Sequence, residues 1–263
     1  MRRPPSGMYG TGHYLCHIGV ISVPIEVVAS WLPPELELAP QNITDAKHHP
    51  VNMLFGQEFD VHVHPFGFAN IDYGEFAVVV PFVQWKSNSY RYKGPFLFTP
   101  LLYLDNWFGI QAGRVLYGFP KKRARFNVTK QLYEVIDAET STRIVSCDIE
   151  QYEGKPSEHE LSNIARLIQQ PSLSQKTDGS YVGSGFDWQL DKAIVTSEKA
   201  KVDFENWWMP SLQTGDARTY ILDGVKDFSQ GGFYHLDTVW TLTLPMNPDQ
   251  YWSAYLHKGD DHD

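Results

Sequence analysis

The sequence predicts a mainly β protein of the α+β class: one largely antiparallel barrel or sandwich with a few helices at its periphery. Three observations carry this prediction. Period-two alternation recurs along the chain, as in Phe59-Asp60-Val61-His62-Val63-His64, and marks a strand with one buried face. Phe76 to Val83 is a continuous apolar run, as in a strand buried on both faces. Only Ser157 to Gln169 has strong helical periodicity, and no internal repeat, low-complexity tract or linker divides the chain. Its 263 residues suit a single domain over 1–263.

The elements follow from local chemistry. Met1 to Gly12 is rich in Pro and Gly and is expected as an extended arm, and Tyr14 to Val23 is apolar and β-branched, a strand. Pro24 opens a short helix with Ile25, Val28, Ala29 and Leu32 on one face, which Pro33-Pro34 stops. Glu35 to Pro40 leads into a loop carrying His48 and His49, and strands occupy Val51 to Trp85. Leu97 to Leu104 and Gly109 to Tyr117 read as two more strands, and Arg123–Val128, Leu132–Ile136 and Thr142–Tyr152 as a meander. Ser157 and Glu160 form a capping-box pattern ahead of the apolar face Leu161, Ile164, Ala165 and Ile168. Gln170 to Gly185 is polar and expected as a loop; Lys192–Thr196, Arg218–Leu222 and Phe233–Leu244 are expected as strands. Asn247-Pro248 caps a last helix through Tyr255, burying Tyr251, Trp252, Tyr255 and Leu256, before an acidic frayed tail at 259–263.

Composition narrows the function. A net charge of −9 argues against nucleic acid as a partner, because phosphate binding needs a basic surface. Two cysteines far apart, Cys16 and Cys147, make no disulfide framework and fit a cytoplasmic protein. No apolar segment follows Arg2-Arg3, and no run of about 18 apolar residues offers a membrane span. His62 and His64 would share a strand face, but a His-x-His pair without a third ligand of clear spacing is more often structural, so no metal is assigned. Gly10-x-Gly12 lacks the strand–glycine–helix unit of a dinucleotide site, and the tryptophans, Trp207-Trp208 among them, read as core.

The sharp signal is Tyr103 to Lys122, YLDNWFGIQAGRVLYGFPKK. It ends in adjacent lysines, Lys121 and Lys122, within mostly apolar sequence. A free lysine has a pKa of about 10.4; burial and a neighbouring cation both favour its neutral amine, a nucleophile toward ketones. In isolation, KKRAR is a solvated basic turn. Tyr73 and Glu75 share a strand face by period two, either at a water-exposed edge or in a cavity.

The run YLDN…Gly113-Arg114…Phe119-Pro120-Lys121-Lys122, with Tyr73-x-Glu75 and Pro81 upstream, resembles the acetoacetate decarboxylase-like family. Weaker likeness covers Pro33 to Leu38 and the closing Leu244-Pro245 segment. The resemblance implies a β-barrel-containing fold, a homo-oligomer, and no metal or organic cofactor. It makes Lys121 the Schiff-base lysine, Lys122 its cationic neighbour and Glu75 an acid/base or positioning carboxylate, with Tyr73, Arg114 and Tyr117 at the substrate. (The desolvated, cation-flanked lysine of acetoacetate decarboxylase is itself a standard example of an activated amine.) If both lysines lie in a regular strand they point to opposite faces, so burial of Lys121 would outweigh the charge of Lys122. Two departures stand out: Ser22 takes the place of the family's carboxylate-binding arginine, and Val115 follows Gly113-Arg114 where the family tends to have Glu. The expected partner is a small oxo acid. The expected reaction is decarboxylation of a 3-oxo acid, with a pyruvate-dependent aldolase-dehydratase and a non-catalytic ligand-binding barrel as alternatives.

Overall fold

The structure is a computed structural model that describes residues 9–64, 68–209, 220–243, 245 and 247–249. The chain opens with β1 (Tyr9–Pro24), a short helix α1 (Ile25–Ser30), β2 (Leu36–Leu38), and the long strands β3 (His48–His64) and β4 (Phe68–Trp85). There follow β5 (Phe96–Leu104), helix α2 (Trp107–Tyr117), β6 (Lys121–Val128), β7 (Leu132–Asp137), β8 (Arg143–Gly154) and helix α3 (Glu158–Ile168). The remainder is β9 (Ser172–Gln175), β10 (Tyr181–Ser184), β11 (Phe186–Trp188), β12 (Ile194–Met209), β13 (Tyr220–Asp227) and β14 (Phe233–Thr243).

All these strands join one mixed sheet: twelve follow the order β10-β9-β5-β6-β7-β8-β12-β14-β1-β3-β4-β2, while β11 pairs with β14 and β13 with β12. β4 also pairs with β5, so the hydrogen-bonded path from β5 round to β4 returns on itself. It is a sheet that runs full circle, not a regular barrel. Among the described pairings only β5–β6 and β5–β9 are parallel.

The apolar run of β4 is split between two cores by strand parity. Phe76, Val78 and Val80 join Trp31, Phe55, Trp85 and Phe233 on one side. Ala77 and Val79 join Leu102, Leu104, Ile110 and Phe119 on the other. That is why the run needs no polar residue on either face. Each large side chain so buried contributes about 1.5–3 kcal/mol of transfer free energy. α3 is as the sequence predicts: Ser157 accepts from the Glu160 N–H at 3.3 Å, and the Glu160 carboxylate accepts from the Ser157 N–H at 2.8 Å.

Four expectations are corrected. Gly109 to Tyr117 is helical, not a strand: the Asn106 side chain accepts from the Gly109 N–H at 2.9 Å, and Gly118, at φ 67°, closes the other end in the left-handed conformation only glycine adopts cheaply. His48 and His49 begin β3 instead of lying in a loop, because the neighbouring end of β1 pairs with them. Gln170 to Gly185 contains the hairpin β9–β10, turned through the positive-φ Gly179. The arm is already strand at Tyr9, paired with both Thr243 and His64. The expected closing helix to Tyr255, the tail at 259–263, and the side chains of Trp207 and Trp208 lie outside the described residues.

Candidate active site

A cavity of about 170 Å³ opens between the sheet and α2. An apolar cavity of about 150 Å³ accommodates benzene, so this one suits a small organic molecule. Strand parity builds its walls. β3 contributes Asn52, Leu54 and Glu58; β4 contributes Ile71, Tyr73, Glu75, Ala77 and Val79. β1 adds Gly10, Tyr14 and Ile18, β14 adds Leu236, Trp240 and Leu242, and α2 closes one side with Phe108, Gly109, Ala112, Gly113 and Tyr117.

Lys121 enters this cavity from the first position of β6, 9% exposed. Its Nζ donates to the Gly109 carbonyl at 3.2 Å and lies 6.0 Å from the centre of the Phe119 ring. The stem lies against Gly113, where an added Cβ would come within 2.3 Å of Lys121 Cε. The AGR glycine is therefore the space the lysine occupies. Burial lowers the Lys121 pKa, and the Glu75 and Glu58 carboxyls act in the opposite direction.

Two carboxyls share the cavity. Glu75 accepts from the Tyr14 hydroxyl at 3.3 Å. Glu58 accepts from the Trp240 indole N–H at 2.6 Å. Burial raises both pKa values; Glu75 raises that of Glu58 further, and Lys121 opposes the shift in each. The low-dielectric setting thus favours neutral forms of all three groups and limits the charge they hold together. Tyr14 lies directly over Gly56, where a Cβ would come within 2.2 Å of its ring. The Tyr133 hydroxyl is held by the carbonyls of Gly56 at 2.6 Å and Glu75 at 2.9 Å, tying β3 to β4 beneath the carboxyls.

The other motif residues form the frame. Leu104 is fully buried, Asp105 accepts from the Gly74 N–H at 3.0 Å, and Asn106 caps α2. Of the residues singled out in the sequence, Lys121, Glu75, Tyr73 and Tyr117 meet at the cavity. Arg114 and Lys122 do not. Arg114 is exposed on α2 and donates from Nε to the Lys121 carbonyl at 2.6 Å, so it positions the backbone behind the lysine. Lys122 points to the opposite, exposed face of β6, 6.0 Å from the Tyr103 ring centre. Tyr73 and Glu75 are in the cavity, which excludes the exposed-edge alternative. Ser22 is exposed and lies off the cavity, whose β1 lining comes from Gly10, Tyr14 and Ile18. No arginine is found among the described lining residues.

Sequence reasoning missed Glu58, Tyr14 and Trp240. For Glu58 a signal was present: Asn52, Leu54, Gly56 and Glu58 run at period two along β3, which puts the carboxylate on the same face as Leu54. Tyr14 and Trp240 carried none, since each meets its carboxylate only through long-range pairing.

No curated protein matches the chain in sequence. Among solved structures it is similar to an acetoacetate decarboxylase from Legionella pneumophila subsp. pneumophila str. Philadelphia 1, at 19% identity and a TM-score of 0.61 over 93% of this chain and 88% of that one. It is also similar to an acetoacetate decarboxylase-like enzyme from Sphingomonas wittichii RW1, at 9% identity and a TM-score of 0.60 over 92% and 94%. A third is the enduracididine biosynthesis enzyme MppR complexed with pyruvate, at 12% identity and a TM-score of 0.56 over 94% and 91%. These likenesses concern the fold, and they agree with the mainly β architecture. The family model described as "Acetoacetate decarboxylase (ADC)" matches residues 6–170. That span exceeds half of the chain and contains both carboxyls and the buried lysine, and the chain belongs to the acetoacetate decarboxylase family.

Proposed function

We propose that the chain is a cofactor-independent Schiff-base lyase in which Lys121 attacks the ketone of a small oxo acid. The observation that carries this reading is the buried Lys121 amine, facing two buried carboxyls in a small, mostly apolar cavity. Neutral Nζ adds to the carbonyl carbon, and loss of water, with a proton donated by the carboxyl of Glu75 or Glu58, gives a protonated imine. In a 3-oxo acid the bond between the α-carbon and the carboxylate then breaks. Carbon dioxide leaves, and the electron pair flows into the C=N⁺ group to form an enamine. A carboxyl of Glu75 or Glu58 supplies the proton to the enamine carbon, and hydrolysis returns the free lysine. With no guanidinium among the described lining residues, the substrate carboxylate sits in an apolar site beside Glu58 and Glu75. That environment disfavours a localised anion and favours its loss as a neutral molecule.

The same imine supports the second reading, condensation of a pyruvate enamine with an aldehyde followed by loss of water. Its support is the lack of an arginine among the described lining residues, together with a similar fold in MppR, which has been seen complexed with pyruvate and with the condensation product of pyruvate and imidazole 4-carboxaldehyde. We include a homo-oligomer in the proposal: Trp107, Val115 and Leu116 stand exposed on α2, an apolar face suited to a second copy and readable by light scattering.

Borohydride trapping with acetoacetate and, separately, pyruvate tests the reading. Peptide mass spectrometry is expected to locate a reduced adduct on Lys121 that is lost in Lys121→Ala. Trapping with acetoacetate and carbon dioxide release supports decarboxylation, and trapping with pyruvate alone supports the condensation. Failure of a panel of oxo acids to trap would leave a ligand-binding role.

A further inference from the structure

On the face of the sheet turned away from the cavity, three adjacent strands bring together two imidazoles and a carboxylate. His17 on β1 stands directly opposite His235 on β14 in the antiparallel register. Their ring centres are 5.0 Å apart. Glu198 comes from β12, which pairs with β14 at Thr196–His235. The β12–β8 register slips between Ser197 and Lys199, and such a bulge re-aims the side chain it carries. Glu198 Oε2 meets His17 Nδ1 at 2.6 Å. One ligand atom from each of the three residues lies within 4.8 Å of the other two.

A His–Glu ion pair alone leaves His235 unexplained. Its Nδ1 is buried and has no hydrogen-bond partner among the described residues, a state native structures seldom leave uncompensated. The side chains of His17 and Glu198 are only 21% and 12% exposed, so the group is held by the sheet and not on mobile surface arms.

We propose that His17, Glu198 and His235 form a binding site for a divalent transition metal, zinc in the first instance. Two imidazoles and one carboxylate are a donor set zinc accepts, at about 2.0–2.2 Å per bond, with water completing the tetrahedron. Donors around such an ion sit roughly 3.4 Å apart, so the present spacing closes by small side-chain rotations. Binding exchanges the His17–Glu198 hydrogen bond for two metal bonds and adds a third from His235. Ile18 and Leu236, the sequence neighbours of His17 and His235, line the cavity from the other face of the sheet, so the site is separate from Lys121.

The test uses the full chain stripped with a chelator and titrated with Zn²⁺ against a chromophoric competitor. The expected result is one high-affinity ion per chain and a rise in melting temperature on its addition. Glu198→Gln and His235→Gln should each weaken binding tenfold or more, while trapping at Lys121 stays unchanged. A His62→Gln/His64→Gln variant should bind as the parent does. No stoichiometric binding by the unaltered chain would overturn the proposal. So would affinity unchanged in a folded His17→Gln/His235→Gln variant, which would place the ion elsewhere.

Discussion

At the scale of single residues, the structure separates two lysines that sequence joins. Lys121 is inside and Lys122 is outside because adjacent strand residues face opposite ways. The Lys121 amine is held toward its neutral form by loss of solvent, while the carboxyls of Glu75 and Glu58 pull toward the charged form. Removing the Lys122 charge should therefore matter little. Lys122→Ala is expected to lower kcat/KM less than tenfold, about 1.4 kcal/mol in transition-state free energy, in a steady-state assay with whichever oxo acid traps. Lys121 was legible because its motif gives it away. Glu58 was harder, because a single glutamate in a strand is ordinarily solvated and only its parity with Asn52 and Leu54 spoke for the cavity. The substrate role expected of Arg114 was misplaced for a related reason: spacing showed it near the lysine but not that the backbone carbonyl was its partner.

At the scale of elements, α2 decides where the lysine goes. Its apolar residues read as a strand, yet Asn106 and Gly118 were helix boundary signals in plain view. β-type apolar content outweighed them because Gly109 and Gly113, poor helix formers, sit in the middle of the segment. Those glycines are there for the lysine: one offers its carbonyl, the other its empty Cβ space. Gly113→Ala should thus separate function from stability. In a helix interior alanine gains about 1 kcal/mol over glycine, and the atoms it meets belong to the far end of a flexible side chain. Urea unfolding is expected to shift by less than about 1 kcal/mol either way, while trapping on Lys121 falls at least tenfold. A variant that unfolds readily but traps normally would contradict this account of α2.

At the scale of the whole molecule, the strands were largely legible and their partners were not. Alternation and apolar runs locate most of β1, β3, β4 and β5, but the full circle of the sheet also depends on the β1–β14 pairing, whose register joins segments from the two ends of the described chain. Because that closure buries Glu58 and Glu75, it leaves a signature in global stability. Between the ordinary carboxylate pKa and their raised native values, the folded chain binds more protons than the unfolded one, so stability is greatest on the acid side and declines as pH rises through the native pKa values. Glu58→Gln keeps the acceptor for Trp240 and removes the titrating group. It should match the parent near pH 4 and exceed it at neutral and alkaline pH, as read by urea midpoints across that range.

The central claim is that burial in this cavity lowers the Lys121 pKa and so raises its share of reactive neutral amine. It is tested most directly by the pH dependence of amine reactivity at Lys121, measured with a small acylating reagent and site-resolved mass spectrometry, in the parent chain and in Lys122→Ala. The account predicts a pKa below the ordinary lysine value of about 10.4 in both proteins. An ordinary value in the parent, or a return to it once Lys122 is removed, would contradict the claim.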